Sequence, residues 1–379
     1  MKVAADWIKA KGLQQVLACL TRADRRAYLV GGCVRNALLG LPVTDFDIAT
    51  DARPDQVMAL AAEAGLRTVP TGIDHGTVTV VVDTVPYEVT TFRRDVEADG
   101  RHAKVIYSTA IEEDAARRDF TMNALYMDAD GRVIDPLGGL SDLRARQVRF
   151  VGLPADRIQE DYLRILRFFR FHALYGDPAG GLDAEGLSAC ADNLDGIDTL
   201  SRERIGNEMR KLLAAPDPAP AVAAMAASGV LSRVLPGSDS RGLAPLVHLE
   251  ADIAPGWLRR LACLGGEGAS QALRLSRDEA KSLMLLRGQI GSPTGAGELG
   301  WRYGHDVARD VILLRSALFE QPAPLGWGKA AKTGASARFP VAAADLPTLS
   351  GPALGARLKQ LEARWVASGF ELSRAQLLA

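Results

Sequence analysis

Two carboxylates, Asp45 and Asp47, stand two residues apart a short way after a pair of glycines, Gly31-Gly32. Like charges that close repel each other unless a cation lies between them, so the pair suits a divalent metal. A glycine pair lets the backbone turn sharply and approach a ligand. At a helix start it also leaves N–H groups open to phosphate. Together the two features point to metal-assisted phosphoryl or nucleotidyl transfer. Each alone is ordinary: Gly-Gly is a common turn and Asp-x-Asp a common solvated strand edge.

The elements that must position them read off the same stretch. Tyr28-Leu29-Val30 is an apolar run of the kind a buried strand uses. Cys33 to Leu39 reads as a helix stopped by Gly40, and Pro42 blocks its continuation. Residues 45–48 alternate polar and apolar, which predicts a strand with Asp45 and Asp47 on one face and Phe46 and Ile48 in the core. Pro54 opens a further helix that Gly65 ends, and residues 66–69 read as a strand. Thr77 to Val82 is β-branched throughout and Tyr87 to Phe92 returns as its hairpin partner. Glu88, Thr90 and Phe92 share a face of that strand, which makes Glu88 a candidate third carboxylate. Residues 93–108 are polar and aperiodic and read as a mobile loop.

The run GGCVRNALLG followed by DFD resembles the head motif of the nucleotidyltransferases related to DNA polymerase β. Within them it resembles the bacterial class II CCA-adding tRNA nucleotidyltransferases and their poly(A) polymerase relatives. Members usually carry Asp after the Arg, where this chain has Asn36. Arg117-Arg118-Asp119-Phe120-Thr121, followed by Asn123-Ala124, resembles the second motif of that family. Read as part of one helix from 112 to 127, it presents Arg118 as a donor to phosphate and Asp119 as an acceptor from ribose hydroxyls. Asn123, four residues on, would steady Asp119. The stretch IQEDYLRILRFFRFH, 158–172, reads as one amphipathic helix: Ile158, Tyr162, Ile165, Leu166 and Phe169 fall on one side, and Glu160, Asp161, Arg164 and Arg167 on the other, with Arg170 at the edge. Such a face can be a solvated set of ion pairs. Its cations, however, are all Arg, which forks onto planar acceptors better than Lys does. It also resembles the nucleotide-reading motif E-D-x-x-R-x-x-R of the same family.

The resemblance implies an α+β protein: a polymerase-β-like nucleotidyltransferase head over 1–139, a helical neck over 140–215, and a helical body and tail over 216–379. It implies transfer of CMP and AMP from CTP and ATP to the tRNA 3′ end, with no nucleic-acid template and pyrophosphate released. Asp45 and Asp47, helped by Glu88, would hold two Mg²⁺. Gly31, Gly32 and Arg35 would cradle phosphates. Arg118, Asp119, Asn123, Asp161, Arg164, Arg167 and Arg170 would bind the nucleotide. Other readings are a poly(A) polymerase, an enzyme adding only CC or only A, and a non-catalytic RNA-binding protein.

Composition sets the outer bounds. The 379 residues allow two or three domains, and 47% hydrophobic with 24% charged is ordinary for a soluble globular chain. No apolar run is long enough to span a bilayer, and the N-terminal amphipathic pattern, broken by Asp6, Lys9 and Lys11, lacks a signal peptide's apolar core. Four scattered cysteines lack metal-ligand spacing and suggest buried thiols in a reducing cytoplasm. Net charge is −1, yet residues 141–175 hold seven Arg, no Lys and four acidic residues, a local excess able to serve a polyanion. No obligate protein partner is implied. Residues 131–139, 215–220, 288–300 and 321–337 are rich in Gly, Pro or Ala and read as connectors, with 215–220 a hinge. The adjacent His305-Asp306 lacks the further His and Asp ligands a phosphohydrolase site needs.

Overall fold

A computed structural model describes residues 1–22, 24–96 and 104–379. The chain divides into two compact units, the first formed by 1–204 with 227–233, the second by 205–226 with 234–379.

The first unit is built on a seven-stranded sheet. Its strands are β1 (Ala27–Val30), β2 (Asp47–Thr50), β3 (Arg67–Gly72), β4 (Thr77–Val82), β5 (Val85–Thr91), β8 (Tyr126–Met127) and β9 (Val133–Ile134), in the order β3-β4-β5-β2-β1-β8-β9. Among the described residues, only the β2–β5 pair of this sheet is parallel. Asp83 and Thr84 both take positive φ, the backbone a two-residue hairpin turn requires, and join β4 to β5. The helices α1 (Lys11–Leu20) and α3 (Pro54–Glu63) pack against the sheet. Ile48, in register with Leu29 and Val89, is fully buried with both of them. Asp47 and Glu88, in register with each other, point to the opposite face by strand alternation. There Val30, Ala49, Phe92, Ala115 and Tyr126 build a second apolar cluster.

Several expected elements change shape. β2 begins at Asp47, so Asp45 and Phe46 precede the strand, and Phe46 lies against the rings of Trp7 and Tyr87. β5 ends at Thr91, and Phe92, one residue past it, is buried in the apolar cluster on the Glu88 face. The expected loop 93–108 contains a two-stranded ribbon, β6 (Arg93–Val96) with β7 (Lys104–Tyr107); its middle, 97–103, lies outside the described residues. The expected connector 131–139 supplies the edge strand β9.

Between and beyond the strands come α2 (Gly32–Leu38), α4 (Ile111–Ala116), α5 (Gly139–Arg144), α6 (Pro154–Glu160), α7 (Leu163–Tyr175), α8 (Ala184–Asp192) and α9 (Arg202–Leu213). The helix expected over 112–127 is therefore only α4. It gives way to a 3-10 turn over Thr121–Asn123 and then β8. The helix expected over 158–172 is two helices, broken at Asp161, whose φ of −155° and ψ of 102° are extended.

The second unit is helical. Its core holds a buried charge cluster in which Glu250 accepts from Arg259 Nε at 2.7 Å and Arg260 Nε at 2.8 Å. Arg259 also pairs with Asp310, and Arg260 donates to the carbonyls of Leu213, Ala215 and Pro216. The segment 215–220 is thus not a free hinge: it lies inside this unit, with its carbonyls tied to a buried guanidinium. The glycine-rich stretches after 288 and 321 are also more than connectors. They contain helices Ala296–Tyr303 and Trp327–Ser336, which touch through glycine: a Cβ on Gly334 would lie 1.9 Å from Gly297 O, and one on Gly300 2.2 Å from Ala331 O. Removing one partner from a buried ion cluster strands the others, at about 3–5 kcal/mol. Glu250→Ala is expected to destabilise this unit by that amount in denaturant unfolding. A loss under about 1 kcal/mol would mean that the cluster behaves like a solvated pair.

Candidate active site

The site lies at the start of β2 and α2. Gly31 sits between β1 and α2 with φ of +72° and ψ of −121°, a conformation that side chains rarely adopt. A Cβ there would meet Arg118 Nη1 at 3.5 Å, an ordinary contact, so it is the backbone conformation that calls for glycine, and the Arg118 guanidinium lies over the turn. The Gly31 N–H is taken up by Leu125 O at 3.2 Å. The N–H groups at the head of α2 therefore begin with Gly32.

Asp47 is half-buried and Asp45 exposed. Asp45 Oδ2 accepts from the Thr44 hydroxyl at 3.0 Å. Parallel register sets Glu88 directly beside Asp47. Burial, then the charges of Glu88 and Asp45, push the Asp47 carboxyl above its ordinary pKa, with Arg118 partly opposing. Among the described residues no hydrogen bond or ion pair reaches the Asp47 carboxylate, and no three His, Cys, Asp or Glu form a complete metal-holding group.

Arg118 is held by a residue that the sequence reading passed over. Asp114 Oδ2 accepts from Arg118 Nη2 at 2.9 Å and from the Tyr126 hydroxyl at 2.6 Å, while Oδ1 takes Arg117. Its spacing of three and four from the two arginines that follow α4 was the available signal. Burial alone would raise the Asp114 pKa, but Arg118, Arg117 and the Tyr126 hydroxyl outweigh it and hold it at about 2. Because folding lowers this pKa, the contribution is present in full above the unfolded value of about 4 and fades as pH falls through about 2. Asp114→Asn is expected to cost about 2–3 kcal/mol at pH 7 and to flatten the loss of stability between about pH 4 and pH 2. Denaturant midpoints measured across that range check it. A variant with the parent's acid sensitivity would show that this carboxylate is not responsible.

Asp119 and Asn123 do meet, at 2.9 Å, though across a 3-10 turn and not along a helix. Asp119 Oδ1 also takes the Phe120 N–H, and Oδ2 takes Arg167 Nε at 2.8 Å. Burial opposes ionisation here, and Arg167 and Asn123 overcome it, so the carboxyl titrates below its ordinary range. Both oxygens expected to face ribose are thus already engaged by protein donors.

Arg35 is buried and points inward. It donates to Asn123 Oδ1, to Asn36 Oδ1 at 2.9 Å and to the Tyr175 hydroxyl at 2.8 Å, with its guanidinium carbon 4.0 Å from the Tyr175 ring centre. Through these contacts the residue expected to cradle phosphate ties α2 to the far end of α7. Asn36, standing where the resembled family carries Asp, accepts from Arg35 and donates to Pro42 O at 2.9 Å, steadying the turn that leads to Asp45. Arg35, Arg167 and Arg170 all lie within 5.2 Å of the Phe171 ring centre.

Asp161 and Arg164 flank the break between α6 and α7. Asp161 Oδ1 accepts the Leu163 N–H at 3.1 Å and Oδ2 accepts from Arg204 Nη2 at 2.7 Å. Arg164 is held by Glu160 at 2.6 Å and by the carbonyls of Arg157 and Arg117. Glu160, expected on a nucleotide-facing surface, is therefore a partner of Arg164 and Arg157.

Residues 27–149 match the model of the poly A polymerase head domain, and residues 182–241 match a probable RNA and SrmB- binding site of polymerase A. The mitochondrial CCA tRNA nucleotidyltransferase 1 of Danio rerio is 33% identical over 375 residues, covering 93% of this chain and 86% of that protein. The chain belongs to the CCA tRNA nucleotidyltransferase family. The human member is 41% identical over 204 residues, 54% of this chain, and that alignment spans about half of the relative, 47% of its length. The solved CCA-adding enzyme of Bacillus stearothermophilus, in complex with CTP, superposes with a TM-score of 0.72 at 29% identity, over 94% of this chain and 93% of that one. The α+β class follows, with a polymerase-β-like head leading a helical remainder.

Proposed function

We propose that this chain adds CMP and AMP from CTP and ATP to the 3′ end of tRNA, releasing pyrophosphate and using no nucleic-acid template. The observation that carries the reading is the parallel pairing of Asp47 with Glu88 beside Gly31 and Arg118. Carboxylates are the hard oxygen donors that Mg²⁺ takes, and this ion is usually held by one or two of them together with substrate phosphates. Asp45 and Asp47, with Glu88 alongside, fit that description: their charges crowd together and Asp47 has no protein donor among the described residues. When bound, Mg²⁺ would acidify the attacking hydroxyl and balance charge on the leaving pyrophosphate.

The chain's own residues do the rest. Arg118, locked by Asp114 and Tyr126, offers Nη1 beside Gly31 to the triphosphate, and the head of α2 offers backbone N–H groups from Gly32 on. Asp119 and Asn123 hold Arg167 and Arg35, which fix α7 to the head at points two helical turns apart. Asp161 and Arg164 read the base, and Arg167 and Arg170 hold its plane or the phosphates. The helical remainder contacts tRNA through its backbone and shape. Among the described residues no helix is long and apolar enough to cross a membrane. All four cysteines are free and buried, which suits a reducing compartment such as the cytoplasm.

The test is pyrophosphate release. With tRNA lacking its 3′ end, CTP alone should release pyrophosphate until two residues are added, and ATP should then release one more. Release that does not depend on tRNA would refute the reading.

A further inference from the structure

We infer that Arg204 is a positioning residue for base selection, acting through Asp161. The inference rests on the functional reading above and concerns what aims the carboxylate that reads the base. Asp161 lies in no helix, so backbone regularity does not direct its side chain. Three contacts do. Leu163 N–H holds Oδ1 and Arg204 Nη2 holds Oδ2, so both ends of the carboxylate are pinned and its plane is fixed. The next residue, Tyr162, lays its ring on Gly196: a Cβ there would lie 1.9 Å from Tyr162 Cδ1, inside the ring's contact surface.

A carboxylate oxygen accepts more than one hydrogen bond. Pinned this way, Asp161 keeps acceptor capacity in one direction, where the exocyclic amine of cytosine or adenine can donate. Without Arg204 the carboxylate can rotate, and an acceptor that turns away no longer penalises the carbonyl of uracil or guanine. The pair is too exposed to matter much for stability: the Arg204 side chain is 48% and the Asp161 side chain 34% accessible. Its geometry is what remains to be used.

The experiment measures kcat/KM of the full chain for CTP and for UTP on tRNA lacking its 3′ end. Arg204→Ala should fold normally and lower the CTP-over-UTP preference by about ten- to a hundredfold, as a loosened reacting geometry does. Arg204→Lys should restore most of it, because the contact is a single N–H from Nη2. Adding Arg204→Ala to Asp161→Ala should change the preference no further, since the first acts through the second. An Arg204→Ala protein that is slower but as selective as the parent overturns the inference. So does a parent whose preference collapses with Asp161→Ala but not with Arg204→Ala, and that result leaves the functional reading standing. A parent with no preference for CTP overturns the functional reading and this inference together.

Discussion

Asp47→Ala is expected to reduce nucleotide transfer by about a thousandfold or more, the scale of losing several kcal/mol of charge stabilisation in the transition state. Asp45→Ala should behave alike. The same change should leave the fold no less stable. Asp47 is partly desolvated, stands beside Glu88 and Asp45, and has no protein donor among the described residues, so its carboxylate is a burden on the folded protein. Loss of activity with unchanged or raised stability is the signature of a residue kept for chemistry. Turnover with Mg²⁺ and thermal unfolding, measured on one preparation, give both halves. Near-normal turnover would remove the residue from the mechanism, and a large drop in unfolding temperature would make it structural.

The second large effect concerns nucleotide choice. Cytosine and adenine present an amine donor beside a ring acceptor; uracil and guanine present a carbonyl where the amine would be. A carboxylate and a guanidinium match the first pair: Asp161 accepts and Arg164 donates. Against uracil or guanine two acceptors would face each other, at about 1–3 kcal/mol when buried. Arg164 is braced by Glu160 and two carbonyls through Nη1 and Nη2, and among the described residues its Nε has no acceptor. Asp161→Ala and Arg164→Ala should slow the reaction and also cut the preference for CTP and ATP over UTP and GTP by about tenfold or more. Equal loss with all four nucleotides would place base reading elsewhere.

Much of the head was legible because its signals are local. The β-branched run 77–82, the glycine turn and the register-sensitive carboxylates depend on alternation and on glycine's backbone freedom. What the sequence concealed was made by side chains at a distance. Nothing in IQEDYLRILRFFRFH breaks a helix by composition. The break at Asp161 comes from its own bond to Leu163 N–H, from Arg204 and from the seat of Tyr162 on Gly196. The turn after Arg118 has a local signal in its composition. Asp119, Thr121 and Asn123 are poor helix formers that bond nearby backbone and side chains, as Asp119 does with Phe120 N–H. In the second unit glycine misled in the other direction, since Gly297, Gly300 and Gly334 mark close helix contact and not loops.

The most direct test of the whole account is the sequence of the product. The purified chain is given tRNA lacking its 3′ end, with CTP, ATP, UTP and GTP present together at equal concentration, and the 3′ termini formed are sequenced. The account predicts that termini end in CCA and stop there, with U and G rare. Long runs of A would instead make the chain a poly(A) polymerase, addition of only CC or only A would make it a partial enzyme, and no addition at all would contradict catalysis by this site.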